Sequence, residues 1–271
     1  MHPILFRIGT FEMHSWGVAF VISILLGIWV AVKRARKMGV DPNVVMDLTL
    51  VIIIAAVIGS RFWYVVFHIS EFKGHWLDTI NPIHDGYIGI AGLSMMGGVV
   101  FAIISAFLYT VIKKINFTEI ADVMAPSFLL GAGFQRIGGC YLNGCCFGKP
   151  TDSFLGITFP ITSVAGSVFP GVHIWPTQLF ASALGFIGFF LILYLDQKRS
   201  FSGYTTWLVL AYYSVDRFIV DQFRYYESHQ VLGSIGPVTI NINDLILLAL
   251  FITSVIMFTI GIKKKNRLKA T

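Results

Sequence analysis

Seven apolar stretches, near residues 14–32, 47–69, 88–112, 119–140, 177–195, 204–223 and 241–262, recur along the sequence at close to the length a helix needs to cross a bilayer. Lipid offers no partner to a bare peptide group, so each stretch must satisfy its backbone within itself and is read as a helix. The 271 residues are 56% hydrophobic and only 13% charged, which excludes a soluble domain. The expected fold is therefore all-α: a polytopic membrane helix bundle of about seven transmembrane helices, forming one integral membrane domain over residues 1–271. Only Arg7, offset by Glu12, precedes the first stretch, and no small-residue cleavage pattern follows it, so the first stretch is expected to be a retained span and not a signal peptide.

Basic residues predict the orientation, because Lys and Arg of short loops are retained on the cytoplasmic side. Lys33, Arg34, Arg36 and Lys37 follow the first span, Lys113 and Lys114 the third, and Lys198 and Arg199 the fifth. Lys263, Lys264, Lys265, Arg267 and Lys269 follow the seventh. These thirteen of the 20 basic residues fall on one face, which predicts an outside N-terminus and a cytoplasmic C-terminus. The net charge of +6 is thus an orientation signal, and no nucleic-acid partner is expected without a recognisable binding module.

Four of the remaining basic residues, Arg61, Arg136, Arg217 and Arg224, lie within or at the ends of predicted spans. An ionised side chain there costs about 2.5–3.5 kcal/mol on insertion scales, so it faces protein or water in preference to lipid. The predicted orientation puts these arginines around a polar cavity that opens to the outer face. Snorkelling to headgroups or structural pairing with an acid is the alternative, weightiest for Arg61 and Arg224.

Tyr213, Arg217, Asp221 and Arg224 are spaced by four, four and three and so share one helical face, while Asp216 lies about 100° away around the helix. That face is either a structural ion-pair ladder or a guanidinium pair presented to an anionic substrate, since Arg binds phosphate oxygens bidentately and stays charged when desolvated.

The run GFQRIGGCYLNGCCFGKPT at 133–151 places three cysteines, Cys140, Cys145 and Cys146, beside Arg136 and several glycines. One internal disulfide, Cys140 with Cys145 or Cys146, is open to them; so are a thiolate nucleophile and simple packing. No metal site is expected, because the spacing lacks a second Cys or His pair at a familiar interval, and no cofactor is expected either. Gly131 and Gly133 suit helix packing. A second glycine-rich stretch at 84–98 combines packing glycines with a polar start, and the segment 151–175 is positioned to cap the cavity or to meet an acceptor.

Taken in order, the APSFLLG run at 125–131, the Arg-x-Gly stretch leading to Asn143-Gly144, the PTQLF run at 176–180 and Tyr213-x3-Arg217-x3-Asp221-x2-Arg224 resemble bacterial prolipoprotein diacylglyceryl transferase. The resemblance covers most of the chain. It implies a multi-pass transferase of the bacterial plasma (inner) membrane with its active site toward the outer face. Such an enzyme moves a diacylglyceryl group from phosphatidylglycerol to the thiol of a lipobox-bearing protein precursor, forming a thioether and releasing glycerol phosphate.

By resemblance, Arg136 and Arg217 hold the lipid phosphate and stabilise the departing charge. Tyr213 and Asp221 orient the arginines, Asn143 and Gly144 line the site, and Arg61, Arg224, Gly97, Gly98 and Gln178 join the substrate-binding set. The sequence departs from the family in several places. Met96 stands before Gly97-Gly98 where the family carries a histidine, Asn143-Gly144-Cys145 replaces Asn-Gly-Glu, and Trp175-Pro176-Thr177-Gln178-Leu179-Phe180-Ala181 replaces His-Pro-Ser-Gln-Leu-Tyr-Glu. Acids and histidines are lost while arginines stay. The alternatives are therefore a non-catalytic lipid-binding or lipid-transport protein, a divergent lipid transferase with another acceptor or a cysteine relay, and a membrane thiol redox protein.

Overall fold

A computed structural model of the chain describes residues 1–8, 11–79, 83–84, 87–88, 92–227, 230–236 and 238–270. Among these residues there are seven long helices: α1 Ser15–Met38, α2 Pro42–Phe67, α3 Met95–Ile112, α4 Phe117–Gln135, α6 Thr177–Asp196, α7 Tyr204–Phe223 and α8 Ile242–Ala270, with a short α5 at Val164–Val168. Among the described residues strand is confined to three two-stranded ribbons, β1 Ile4–Ile8 with β2 Phe11–His14, β3 Ile83–His84 with β4 Tyr87–Ile88, and β5 Val231–Ile235 with β6 Val238–Asn241. The all-α expectation holds.

Five of these helices, α1, α2, α3, α6 and α8, are long and apolar enough to cross a membrane. The other two coincide with predicted spans, but Glu119 and Asp122 in α4, and Asp216, Arg217 and Asp221 in α7, make them more polar. Large side chains such as Leu25, Trp29, Ile58, Phe62, Ile103 and Phe190 stand exposed along the helices, a surface that only lipid or another apolar body satisfies.

Helix ends follow local chemistry. After α1 the chain turns at Gly39, whose φ of 74° is the left-handed conformation a glycine takes without strain. Asp41 then caps α2, accepting from Asn43 N at 2.9 Å, with Pro42 in the first turn where its missing N–H is no loss. α8 opens with a reciprocal cap: Asn241 N donates to Asp244 Oδ2 at 2.8 Å and Asp244 N to Asn241 Oδ1 at 3.2 Å.

Backbone proximity divides the chain into two compact units, Met1–Phe6, Met13–Ala31 and Ala121–Thr271 in one, Arg7–Glu12 and Val32–Ile120 in the other. The first has its apolar core at Val30, Leu129, Leu130, Phe189, Ile192 and Val209. α4 and α6 approach closely there because Gly185 meets the backbone of Gly133, and Ser182 Oγ donates to Gly133 O at 2.8 Å. Fully buried Asp122 of α4 caps α7, accepting from Gly203 N at 2.8 Å and from Thr206 N and Oγ1, both at 2.8 Å.

In the second unit α2 packs along α3 with Gly59 facing Gly97 and Phe101. A Cβ on Gly97 would lie 2.3 Å from Gly59 O and 2.3 Å from Trp63 Cβ, and one on Gly98 would lie 2.5 Å from Ser60 Oγ. α3 begins at Met95, seven residues later than the expected 88; positions 89–91 of that expectation, with 85–86 of the glycine-rich stretch, lie outside the described residues.

Candidate active site

α4 does not end in an ordinary turn. At Arg136–Tyr141 it widens into a π-helical segment, a rare conformation that recurs at functional sites. Glycines allow it: a Cβ on Gly138 would lie 2.5 Å from Ala19 Cβ, and one on Gly139 2.4 Å from Gln135 Nε2. Asn143 ties the segment off, its Nδ2 donating to Gly139 O at 2.6 Å and to Ser15 Oγ at 3.0 Å.

The following residues form a tight loop. Gly144 takes φ 67°, with the position of its absent Cβ 2.8 Å from Ser163 Cβ, and Cys146 takes φ 59°, unusual for a residue with a side chain. The loop is held by its carbonyls. Ala165 N donates to Gly144 O at 3.0 Å, Gln178 Nε2 to Cys145 O at 2.8 Å, and Thr177 Oγ1 to Cys146 O at 2.8 Å. Ala165 comes from the expected cap segment 151–175, which packs Phe159, Ala165 and Ile174 against Phe147.

Arg136 rises from the π segment and donates from Nη1 to Cys140 Sγ at 3.6 Å. Arg217 forms an ion pair with Asp221 one turn on, and its Nη2 donates to the hydroxyl of Tyr226 at 3.1 Å. Tyr226 in turn donates to Asp221 Oδ1 at 2.6 Å, which closes a three-residue ring. Burial first, then the bond to Asp221, raises the Tyr226 phenol above its ordinary range, so it remains a donor. Asp216, also buried, feels the charges of both Arg136 and Arg217 and joins the two arginines electrostatically. Buried Gln135 Oε1 and Nε2, Gln178 Oε1, Asp216 Oδ1 and Asp221 Oδ2 have no hydrogen-bond partner among the described residues. Such orphan atoms are costly in a closed interior and mark positions that a polar ligand or water would satisfy.

Arg224 ends α7 with its guanidinium 5.1 Å from the Tyr226 ring centroid, and its backbone bridges to Gly148. All three cysteines carry free thiols. The neighbouring Cys140 and Cys145 thiols, then the charges of Arg224 and Arg136, pull the Cys146 thiol below its ordinary range.

The expected site residues thus divide. Arg136, Asn143, Gly144, Gln178, Arg217, Asp221 and Arg224 fall in one unit with the cysteines. Within that set Gln178 is 1% exposed and spends its amide nitrogen on the cysteine loop. Tyr213 packs edge-on against Phe128, with centroids 5.0 Å apart, and the hydroxyl bound to Arg217 and Asp221 belongs to Tyr226, which the helical spacing did not single out.

Arg61 lies in the other unit and holds the chain after α2, donating from Nε to Thr79 O at 2.8 Å, from Nη2 to Asp78 O at 2.6 Å and from Nη1 to Gly92 O at 3.2 Å. Gly97 and Gly98 are taken up by helix packing in that same unit. Met96 lies in the first turn of α3 and is exposed.

A family model described as prolipoprotein diacylglyceryl transferase matches residues 3–260. The chain belongs to the prolipoprotein diacylglyceryl transferase family. Among curated relatives, phosphatidylglycerol–prolipoprotein diacylglyceryl transferase 1 of Clostridium perfringens is 30% identical over 83% of this chain and 83% of its own length. The Clostridium tetani transferase is 29% identical over 83% of this chain and 86% of its own. Transferase 2 of Clostridium perfringens is 28% identical over 98% of both chains. The alignments span nearly the whole of this diacylglyceryl transferase family member, so the transferase class extends to it despite Met96 and Cys145.

Proposed function

We propose that this membrane transferase moves the diacylglyceryl group of phosphatidylglycerol to the cysteine thiol of a lipobox-bearing precursor. The observation that carries the reading is the ring of Arg217, Asp221 and Tyr226, coupled through Asp216 to Arg136. Arg217, held by two partners, loses little freedom when it meets a phosphate, and with Arg136 it matches the charge of the leaving glycerol phosphate.

In the reaction, the acceptor sulfur forms a C–S bond at the glycerol carbon while that carbon's bond to the phosphate oxygen breaks. The electron pair leaves with the glycerol phosphate, and the thiol proton is released. Arg136 and Arg217 stabilise the negative charge that accumulates on the departing oxygen. Asp216 and Asp221 balance the arginines before lipid arrives. A cavity of about 350 Å³, lined by Val215, Phe218, Ile240, Leu245 and Phe251 between α7 and α8, offers apolar room for part of an acyl chain. Asn143 and Gly144 border the arginine site, and Arg224 adds charge at its edge.

The distribution of basic clusters supports placement in the bacterial inner membrane with the C-terminus cytoplasmic and the site toward the outer face. The test is to incubate the purified chain, in vesicles containing phosphatidylglycerol, with a lipobox peptide and to seek the diacylglyceryl thioether by mass spectrometry. Product that disappears with Arg217→Ala supports the reading. Absence of product with lipid still bound would move the function to lipid binding or transfer without bond formation.

A further inference from the structure

We propose that Cys140, Cys145 and Cys146 form a three-thiolate binding site for a thiophilic metal ion of the zinc(II) or copper(I) kind. The three Sγ atoms lie within 4.8 Å of one another. Around an ion with metal–sulfur bonds of about 2.3 Å, three sulfurs sit roughly 4 Å apart, so the observed set needs to contract by less than about 1 Å. The spacing in sequence gives no hint of this, because Cys145 and Cys146 are adjacent and adjacent side chains ordinarily diverge. The left-handed turn at Cys146, φ 59°, is the local feature that departs from ordinary backbone.

The loop is built to hold that shape without a metal. Cys145 N donates to Cys140 O at 3.1 Å, while buried Gln178 and Thr177 anchor the carbonyls of Cys145 and Cys146. A preorganised set of ligands loses little further freedom on binding. Arg136 Nη1 donates to Cys140 Sγ, the outer-shell bond that stabilises a thiolate ligand and offsets the negative charge of a three-thiolate complex. Cys145 and Cys146 are only half-buried, which leaves an approach for the ion. Soft sulfur ligands select zinc and copper(I) over magnesium or calcium. Each coordinating thiol loses its proton to solvent, so filling the site with one ion releases up to one proton per sulfur and changes no oxidation state.

The test uses the full chain in detergent, reduced and stripped of metal, with no lipid or peptide, so its outcome is independent of the transferase reading. Zinc(II) and copper(I) are titrated in separate arms and magnesium(II) in a third. Bound metal is measured by elemental mass spectrometry after gel filtration, and free thiols by a disulfide-exchange dye. One zinc or copper ion per chain, with all three thiols protected and no magnesium retained, is expected; the arm that binds more tightly identifies the ion. Cys140→Ser, Cys145→Ser and Cys146→Ser should each weaken binding at least about tenfold. Retention of neither ion by the reduced wild-type chain, or unchanged binding in a Cys145→Ser or Cys146→Ser variant that elutes as a folded protein, overturns the proposal. Those two variants decide the matter if the buried Cys140 does not tolerate serine.

Discussion

Tyr226 Oη stands 2.6 Å from Asp221 Oδ1 and donates to it, across the end of α7, while accepting from Arg217. The phenol's raised ionisation range has a definite sign. Its folded value lies above the unfolded value of about 10, so its stabilising contribution is complete below that pH and is lost as pH rises through the folded value. In an ultraviolet titration, wild type minus Tyr226→Phe should show one tyrosine ionising above the ordinary range. The variant should also lose about 1.5–3 kcal/mol of stability, the worth of one hydrogen bond to a charged group, while Asp221 keeps its pair with Arg217. A phenol titrating at or below its ordinary value would break the argument.

Arg217 is expected to act by directed hydrogen bonds as well as charge. Arg217→Ala should lower the rate of thioether formation by about 10²–10³, the usual cost of removing a donor at developing charge. Arg217→Lys keeps the charge but loses the fork that reaches Asp221 and Tyr226 together, so it should remain closer to Ala than to wild type. The readout is peptide lipidation against time at saturating phosphatidylglycerol. Wild-type turnover in the lysine variant would reduce Arg217 to a point charge.

Asp221 is fully buried in its side chain, so its removal strands a guanidinium. Asp221→Ala should destabilise the protein by about 3–5 kcal/mol, whereas Asp221→Asn, which still accepts from Tyr226, should lose less. Thermal unfolding in detergent separates the two. Equal losses would mean that the missing charge accounts for the whole effect and that the shape and acceptor kept by asparagine add nothing.

Much of the fold was legible because lipid imposes a simple pattern, in which long apolar runs become helices. Boundaries were less so. Hydropathy ends the first span at 32, before the basic run Lys33–Lys37, yet α1 continues through that run to Met38, since Lys and Arg are good helix formers and Gly39 is the first residue able to reverse the chain. α2 starts at Pro42 and not at 47, because Asp41 caps it and Pro42 suits its first turn, and neither residue adds to hydropathy. At the site, helical spacing brought Arg217 and Asp221 together, but Tyr226 lies beyond the helix end, where periodicity has no force. Neither the π-helical segment nor the meeting of adjacent cysteines has a periodic signature, since both depend on what packs against Gly139 and Gly144.

Gly97 offers a test that separates packing from lipid binding. Gly97→Ala drives a methyl into Gly59 O and Trp63, and overpacking of this kind costs about 1–3 kcal/mol. The expected outcome is a lower unfolding temperature with an unchanged KM for phosphatidylglycerol. A raised KM at unchanged stability would instead give this glycine a place in substrate binding.

Gln178 holds the cysteine loop by a single bond, from Nε2 to Cys145 O at 2.8 Å. Its other amide atom is buried without a partner among the described residues, so the residue carries a standing cost that an apolar side chain would avoid. Gln178→Met should therefore change stability little, because relief of that cost offsets the loss of the bond, yet it should free the loop. The left-handed turn at Cys146 then relaxes, and the thiols should spread and react faster with maleimide than in wild type. Alkylation rates followed by intact-mass spectrometry, beside a melting curve, read the two effects separately. Unchanged alkylation in a folded Gln178→Met protein would show that Thr177 and the backbone bonds suffice to hold the loop.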